Sequence, residues 1–430
     1  MIATLFISFF ILVILDVPIG VCLGVCSALA LIQSGNTDMA ILVQRMFRSI
    51  DSTTLLAVPL FIFAGKIMEK GGISQRIVDF SYALVGWMRG SLAVVTVVAC
   101  MFFAALSGSA PATVVAIGGI MAPMMIKDGY PANFSVTIAA AAGCIGVIIP
   151  PSIPFVNYAV LTGVSIADMF VAGIVPGVLM GLVLILLSYF LAKKNNWGRE
   201  PEKFSLKGLG RATKRSILAL FMPLIILGGI YGGIFTPTEA AAVACGYGVL
   251  VSCFIYKETR LRDLPRIAYE GGRTNGMIFL IIGTSSVFSW ILSTEQVPMK
   301  ITQFILGITD SGFLILLIIN IVLLINGCFM ELTASTFIYV PIMFPLAVAI
   351  GIDPVQFGVM MVLNMTLGLL TPPLGINLFI ANGLSEKADF GGVCKTVIPM
   401  FILLIAILAL ITYVPNVSLG LLKLLGGYGT

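Results

Sequence analysis

The chain has 430 residues, of which 59% are hydrophobic and 10% are charged, with a formal net charge of +5 at pH 7. A soluble domain of this length needs more polar residues than that to cover its surface. The composition therefore excludes a soluble globular protein and predicts an all-α polytopic membrane protein. The sequence contains no histidine, which removes the usual imidazole ligand of transition metals.

Long segments without Asp, Glu, Lys or Arg predict membrane helices along the chain. Crossing the hydrocarbon layer takes roughly 20 apolar residues as a helix. The start, MIATLFISFFILVILDVPIG, has no Lys or Arg before its apolar run, so we expect this first helix to be retained and not cleaved as a secretory signal. The charge-free segments are residues 90–126, 129–167, 274–294, 311–330, 332–352, 355–385 and 396–422.

A basic stretch at residues 193–215, KKNNWGREPEKFSLKGLGRATKR, divides the chain into two halves. Short basic loops between membrane spans stay in the cytoplasm, so we predict a cytoplasmic linker between residues 1–192 and 216–430. A nucleic-acid patch is the alternative for such a stretch, but no folded domain surrounds it. The sequence therefore predicts no nucleic-acid partner.

The two halves resemble each other, which two proline pairs show best. Pro150-Pro151 in GVIIPPSIP and Pro372-Pro373 in GLLTPPLGI lie 222 positions apart (372 − 150). The segment matching the basic linker is the C-terminal stretch from residue 413, whose single charge is Lys423. That contrast fits a second half inverted in the membrane. Inverted repeats with interrupted helices are typical of secondary transporters, and the proline pairs are the predicted structural breaks.

Each half also contains a polar tip within an apolar, hairpin-like segment, near residues 107–127 and 327–350. A helix broken at membrane depth leaves carbonyls and amides that lipid cannot satisfy, and unwound carbonyls at such places coordinate sodium. Close helix packing is the alternative use of small residues, but the duplicated pattern favours ion binding. The predicted ligands of the first sodium site are Ser107, Gly108, Ser109 and Thr113, with carbonyls around Gly146 and Ile149.

The second tip, NGCFMELTAS, predicts a second sodium site, so two or more ions are expected. Glu331 is a functional candidate because a carboxylate inside an apolar segment is costly. It could balance a cation or lie in water at the mouth of the hairpin. The predicted ligands of this site are Gly327, Cys328, Met330, Glu331, Thr333 and Ser335, with carbonyls from Gly368 to Thr371.

Polar residues just past the breaks are the candidates for substrate binding: Ser152, Asn157 and Asn377. Half-helices that restart there would present free amides and a positive dipole end, which suits a carboxylate better than a neutral sugar. Two further acidic residues, Asp16 and Glu239, occupy similar places in the two halves. We predict that they stabilise helix N-termini.

The motifs SGSAPATVVAIGGIMAPMM, GVIIPPSIPFVNYAVLTGVSIADMFVAGIVPG and GLLTPPLGINLF resemble the large membrane subunit of tripartite ATP-independent periplasmic (TRAP) transporters. The resemblance covers nearly the whole chain. It implies a sodium-driven elevator in the bacterial cytoplasmic (inner) membrane, with transport-domain elements near residues 91–168 and 311–390 and a scaffold built from the remaining helices. It also implies a small membrane subunit and a periplasmic binding protein that delivers an organic acid, either sialic acid or a C4-dicarboxylate.

Other features bear on partners and on rival functions. The eight cysteines are interpreted as packing residues, and no nucleotide is expected because no GxxxxGK[ST] stretch is present. Amphipathic stretches at residues 38–51 and 74–89 predict scaffold helices at the interface. A stand-alone sodium-coupled carboxylate carrier and an ion channel remain alternatives, while an enzyme is disfavoured. The docking candidates for the binding protein are Arg45, Arg48, Lys66, Arg89 and Lys300.

Overall fold

The structure, a computed structural model, describes residues 1–35, 39–198 and 204–425. Within these ranges all regular secondary structure is helical. Eight of the described helices are long and apolar enough to span a membrane, or nine if the bent pair of Ala40–Ile50 and Thr54–Lys70 is one span. The predicted all-α membrane class is confirmed.

The described part of the first half contains eleven α-helices, which range from 4 to 30 residues in length. In chain order they are α1 (Ile2–Ile14), α2 (Ile19–Ser34), α3 (Ala40–Ile50), α4 (Ala57–Lys70), α5 (Ile73–Val85), α6 (Ser91–Ser107), α7 (Ala110–Thr113), α8 (Gly119–Lys127), α9 (Ala132–Gly143), α10 (Ile153–Thr162) and α11 (Ile166–Asn195). A π-helical segment, Val114–Gly118, joins α7 to α8, and a 3-10 turn, Cys144–Val147, extends α9.

The second half follows a similar plan. Its helices are α12 (Leu206–Tyr231), α13 (Pro237–Val249), α14 (Leu264–Thr294), α15 (Val297–Ile308), α16 (Gly312–Phe329), α17 (Leu332–Ala349), α18 (Pro354–Gly368), α19 (Ile376–Asn382), α20 (Phe390–Tyr413) and α21 (Asn416–Leu424). The basic stretch is largely helical. Lys193 and Lys194 lie in the last turn of α11, and α12 begins at Leu206. Residues 199–203 lie outside the described residues.

Each half contains a helical hairpin. Hairpin 1 consists of α6 followed by α7, the π-helical segment and α8, and hairpin 2 consists of α16 and α17. Both begin earlier than the sequence-based ranges, at Ser91 and Gly312, because their charge-free first arms cannot be told from ordinary spans by composition. Gly108, with a φ of 57°, makes the turn of hairpin 1. A residue with a side chain is strained in that conformation.

Each hairpin is followed by a broken helix. In the first half the helix stops after Val147 and restarts at Ile153, and in the second it stops at Gly368 and restarts at Ile376. Both breaks contain a cis peptide bond, Pro150-Pro151 and Pro372-Pro373.

The two broken helices meet at the centre of the molecule. The restarted half α10 packs on α17 of hairpin 2, and α19 packs on α9 and on hairpin 1. The Cys144 thiol lies 3.6 Å from the carbonyl oxygen of Thr366, to which it donates. These two residues are 222 positions apart, the same offset as the proline pairs, so matching positions of the two halves touch.

The remaining helices pack around this centre. Outer helices that pack together extensively include α2 with α14, α4 with α13 and α5 with α12. Of the amphipathic stretch at 38–51, residues 40–50 form α3, none of whose residues is buried, and Asp38 lies outside the described residues. Of the stretch at 74–89, residues 74–85 belong to α5. Arg45 of α3 lies over the ring of Trp290, 4.4 Å from its centroid, which ties α3 to α14.

The two acidic residues predicted at helix N-termini differ. Glu239 completes a capping box, in which its carboxylate accepts the Thr236 N–H at 2.8 Å. Asp16 instead has a φ of 58° in the turn after α1, and the N-cap of α2 is Pro18, without a side-chain cap. The prediction for Asp16 is wrong because the chain turns at Asp16 before α2 begins.

Candidate transport site

The two polar tips line one cavity of about 420 Å³. Ser107, Gly108 and Ser109 come from hairpin 1, and Glu331 and Thr333 from hairpin 2. Helices α4, α10, α14 and α19 complete the walls. The cavity has the size of an ordinary small-molecule site. Tertiary packing therefore brings together two segments that are more than 200 residues apart.

The first tip is a compact cluster of oxygen atoms. The hydroxyls of Ser107 and Thr113 are hydrogen bonded at 2.8 Å, and Thr113 Oγ1 also donates to the carbonyl of Ser109 at 2.8 Å. Ser109 is the N-cap of α7, and its hydroxyl accepts the N–H of Ala112 at 3.5 Å. Hydroxyl and carbonyl oxygens are ligands that suit a hard cation.

Glycines let the first broken helix approach this tip. A Cβ atom at Gly146 would collide with Thr113 Oγ1 and lie 2.9 Å from the Ser109 carbonyl oxygen. A Cβ at Gly108 would lie 2.8 Å from the carbonyl oxygen of Pro151. Gly146 therefore lies beside the tip oxygens, as predicted from sequence, while the half-buried Ile149 lies in the break itself.

In the second tip a carboxylate caps a helix. Glu331 is the N-cap of α17 and accepts the N–H groups of Thr333 and Ala334 at 2.8 and 3.2 Å, as well as the Thr333 hydroxyl at 3.0 Å. The same residue lines the cavity. Its charge is therefore held at the helix start and also faces the space between the tips.

Further contacts hold the second tip against its broken helix. Asn326 Nδ2 donates to the hydroxyl of Ser335 at 2.8 Å, which joins the two arms of hairpin 2. Gly327 and Gly368 bring two backbones together, since a Cβ at Gly368 would lie 2.7 Å from the Gly327 carbonyl oxygen.

Three other residues predicted as ligands of the second site lie near the tip, and two of them already use their side chains in hydrogen bonds to their own backbone. The Cys328 thiol donates to the Leu324 carbonyl of its own helix at 3.1 Å, and Thr371 Oγ1 donates to the Leu367 carbonyl at 3.3 Å. Met330 is the C-cap of α16 and is half-buried.

The restarted half-helices offer fewer free amides than the sequence predicts. At the start of α10, Ser152 Oγ accepts the Phe155 N–H at 3.3 Å, and Pro154 has no N–H. At the start of α19, the Asn377 N–H donates to the Leu369 carbonyl at 3.1 Å. One amide at each restart is therefore already bonded within the protein and is not free to bind an anion.

The two predicted substrate-binding asparagines are fully buried. Asn157 follows the cavity-lining Ile153 by one turn, and within the described residues neither its side-chain oxygen nor its nitrogen has a hydrogen-bond partner. Asn377 Nδ2 donates to the Cys144 thiol at 3.4 Å, while its Oδ1 has no partner among those residues. Unpaired buried amides are costly, which is why they commonly mark functional positions.

Sequence reasoning missed the contribution of α4 and α14. Lys66, Glu69 and Thr274 line the cavity, and the Lys66 ammonium pairs with the Glu69 carboxylate at 3.1 Å. Lys66 is among the docking candidates predicted from sequence. In the structure only 32% of its side chain is exposed, and it lines the cavity. The available signal was an i, i+3 charge pair in the otherwise apolar stretch FIFAGKIME.

Comparison with known proteins decides the family. A family model described as "Tripartite ATP-independent periplasmic transporter, DctM component" matches residues 6–417. The chain belongs to this TRAP transporter family. The resemblance found in its motifs is therefore confirmed. As a DctM component it is a transporter permease of the bacterial inner membrane and not an enzyme.

Several curated TRAP permeases are similar over most of this chain. A C4-dicarboxylate large permease of Pseudomonas aeruginosa is 41% identical, over 94% of each chain. A sialic acid large permease of Vibrio cholerae is 37% identical, over 96% of each chain. The isethionate permease DctMQ of Oleidesulfovibrio alaskensis is 42% identical over 96% of this chain, which spans 65% of that longer protein. The named substrates differ at nearly equal identity.

Solved structures agree on the fold alone. The Alcanivorax borkumensis YdaH transporter superposes with a TM-score of 0.63 at 14% identity, covering 88% of each chain. Neisseria gonorrhoeae MtrF gives a TM-score of 0.56 at 14% identity, covering 86% of this chain and 83% of its own. The helical arrangement is therefore that of known membrane transporters.

Proposed function

We propose that this TRAP permease imports an organic acid, driven by sodium and supplied by a periplasmic binding protein. One observation carries the proposal: both polar tips, each beside a broken helix, line the same cavity. The oxygen atoms that would bind cations therefore lie in the lining of the cavity that would hold the organic acid. Sodium at the tips and an anion between them would each raise the affinity for the other, since linkage is reciprocal.

Two sodium ions are proposed, one at each tip. The first would use the hydroxyls of Ser107 and Thr113 and the carbonyl of Ser109, which already converge. The second would use carbonyls of hairpin 2 and of the break after Gly368, with Glu331 as the nearby negative charge. Binding would hold each hairpin against its broken helix. A carrier with only one ligand bound should then not cross.

The moving part would comprise the hairpins and broken helices, near residues 91–168 and 311–390. The outer helix pairs would form the scaffold, and the two halves would be inverted repeats. The contact between Cys144 and Thr366 supports a two-fold relation, because equivalent positions touch near an axis of such symmetry. The tripartite family description implies partner subunits, and we propose that a small membrane subunit enlarges the scaffold.

The cavity is proposed to face the cytoplasm. Beyond the cavity-lining end of α4, Lys70 pairs with Glu270, and Arg76 pairs with Glu258 at 3.2 Å. The Ser216 hydroxyl donates to the Arg76 carbonyl at 2.7 Å, which ties this network to α12 next to the basic stretch. Basic segments stay in the cytoplasm, so this end of the cavity belongs on that side.

Uptake into proteoliposomes containing this chain and its small membrane partner tests the proposal. Labelled succinate and sialic acid are measured separately under an inward sodium gradient, with and without the matching binding protein, and with choline replacing sodium as the control. We expect uptake that needs both sodium and one binding protein. Sodium-driven uptake that ignores the binding protein would make the chain a stand-alone carrier. Conductance without saturable uptake would make it a channel.

A further inference from the structure

The cavity contains a fixed positive charge that neither tip supplies. Among the described residues that line it, Lys66 is the only one with a positive charge, and Glu69 and Glu331 carry negative charges. The formal net charge of these side chains is therefore −1 before any ion binds. An organic anion would be repelled by such a cavity unless cations enter first.

The helix ends remove only part of this difficulty. The hydroxyl of Ser152 and the carbonyl of Leu369 already accept one amide each, one at each restart. Lys66 is better placed to bind an anion. Its ammonium has three N–H donors, and its ion-pair partner among the described residues is the Glu69 carboxylate. A charged donor also binds a carboxylate more strongly than a neutral amide does.

The existing pair is not needed to hold α4 in place. Lys66 and Glu69 are three residues apart on one helix, and half-exposed pairs of this kind contribute little to stability. Helix α4 is held instead by its packing on α13 and α14. The pair therefore neutralises Lys66 in the empty cavity and leaves the ammonium available for exchange.

We propose that Lys66 binds a carboxylate group of the transported acid, exchanging its ion pair with Glu69 for one with the substrate. This inference rests on the proposed function. Two bound sodium ions change the charge of the lining from −1 to +1, which a carboxylate then balances. Because α4 packs on the outer helices, the contact exists only while the hairpins are in this position. Lys66 therefore sets affinity on the cytoplasmic side.

The test is substrate binding to the purified complex of this chain and its small partner in nanodiscs. The probes are succinate and N-acetylneuraminic acid, titrated separately with saturating sodium and followed by thermal stabilisation. We expect Lys66→Met to raise the apparent Kd by on the order of tenfold or more, as loss of a charged hydrogen bond does. Lys66→Arg should restore most of the affinity.

Glu69→Gln gives a readout that a structural role would not produce. Without its intramolecular partner Lys66 is free, so the apparent Kd for the acid should fall severalfold. Lys70→Met is the matched control, since Lys70 lies one turn later and pairs with Glu270 outside the cavity lining. Its Kd should equal that of the wild type.

The outcomes separate the two proposals. If both acids bind the wild type with sodium, but Lys66→Met and Glu69→Gln leave the Kd unchanged in folded protein, the role of Lys66 is overturned and the transport proposal stands. If neither acid shows sodium-dependent binding to the wild type, both proposals fall together.

Discussion

The two tips use the same capping position with different chemistry. Ser109 and Glu331 are 222 residues apart, and each is the N-cap of the second arm of its hairpin. Ser109 accepts one amide at 3.5 Å, whereas Glu331 accepts two at 2.8 and 3.2 Å. The same backbone geometry therefore carries a neutral oxygen cluster in hairpin 1 and a fixed negative charge in hairpin 2.

The arms are joined differently as well. In hairpin 1, Thr113 bonds both Ser107 and the Ser109 carbonyl, so cross-tip bonds and candidate cation ligands are the same atoms. In hairpin 2, the equivalent residue Ser335 bonds Asn326 instead, away from the capping carboxylate. In hairpin 2, therefore, the bond that joins the two arms and the carboxylate that would attract a cation belong to different residues. In hairpin 1 the same oxygen atoms join the tip and would bind the cation. Substitutions should have different effects at the two tips for this reason.

The largest effects are expected at the glycines beside the tips. Gly368→Ala would force a Cβ into the Gly327 backbone, which cannot move aside, and overpacking costs roughly 1–3 kcal/mol. Gly146→Ala would meet mainly the Thr113 side chain. We expect Gly368→Ala to lower Tm more, and both to abolish sodium-driven uptake.

Gly246→Ala in α13 is the control for these two variants, because no described atom outside its own helix backbone and its chain neighbours lies within 4 Å of the added Cβ. Thermal unfolding and uptake per folded molecule would be measured together. Equal losses of Tm at Gly146 and Gly368 would contradict the difference between a side-chain and a backbone neighbour.

Removing the charge of hairpin 2 ranks second. Glu331→Gln keeps the shape but weakens the cap, and we expect a clear increase in the sodium concentration for half-maximal uptake because the negative charge beside the second site is lost. Ser109→Ala in hairpin 1 loses a neutral cap worth about 1 kcal/mol. Sodium titrations of the two variants compare the tips. An unchanged sodium dependence in Glu331→Gln would leave that carboxylate with a structural role only.

The hydroxyls that cross each tip come third. Thr113→Val removes a group that bonds two oxygens of the first tip, so we expect on the order of a tenfold rise in the sodium needed for half-maximal uptake. Ser335→Ala loses one bond to Asn326, which should lower stability by about 1 kcal/mol and leave sodium dependence close to wild type. If Ser335→Ala shifts the sodium dependence as much as Thr113→Val does, the two hydroxyls have the same role in sodium binding and the proposed difference between the tips is wrong.

The smallest effect is expected at a cap outside the cavity. Thr236→Ala breaks the capping box with Glu239 at the exposed start of α13. Tm should fall slightly, while the sodium titration and the uptake per folded molecule stay as in the wild type. A changed sodium dependence here would show that cap loss anywhere perturbs transport, and the comparison of the tips would lose its meaning.

Prediction from sequence worked best for features that local chemistry specifies. The break around Pro150-Pro151 and the turn at Gly108 depend on residues that are unusual inside a membrane span, and they stand out in one sequence. The first arms of the hairpins did not, because α6 carries no charged residue and its only boundary signals are the flanking Gly90 and Gly108. Asp16 was misplaced because a helix start was inferred from charge without the turn geometry.

The sequence by itself determined the solvent, the helical class and the positions of the two tips, since these follow from composition and from proline and glycine within a few residues. Only the tertiary structure decided that the tips share one cavity and that Lys66, Glu69 and Thr274 complete it. These facts depend on contacts between residues that lie 200 or more positions apart in the chain, and no local pattern in the sequence encodes such contacts.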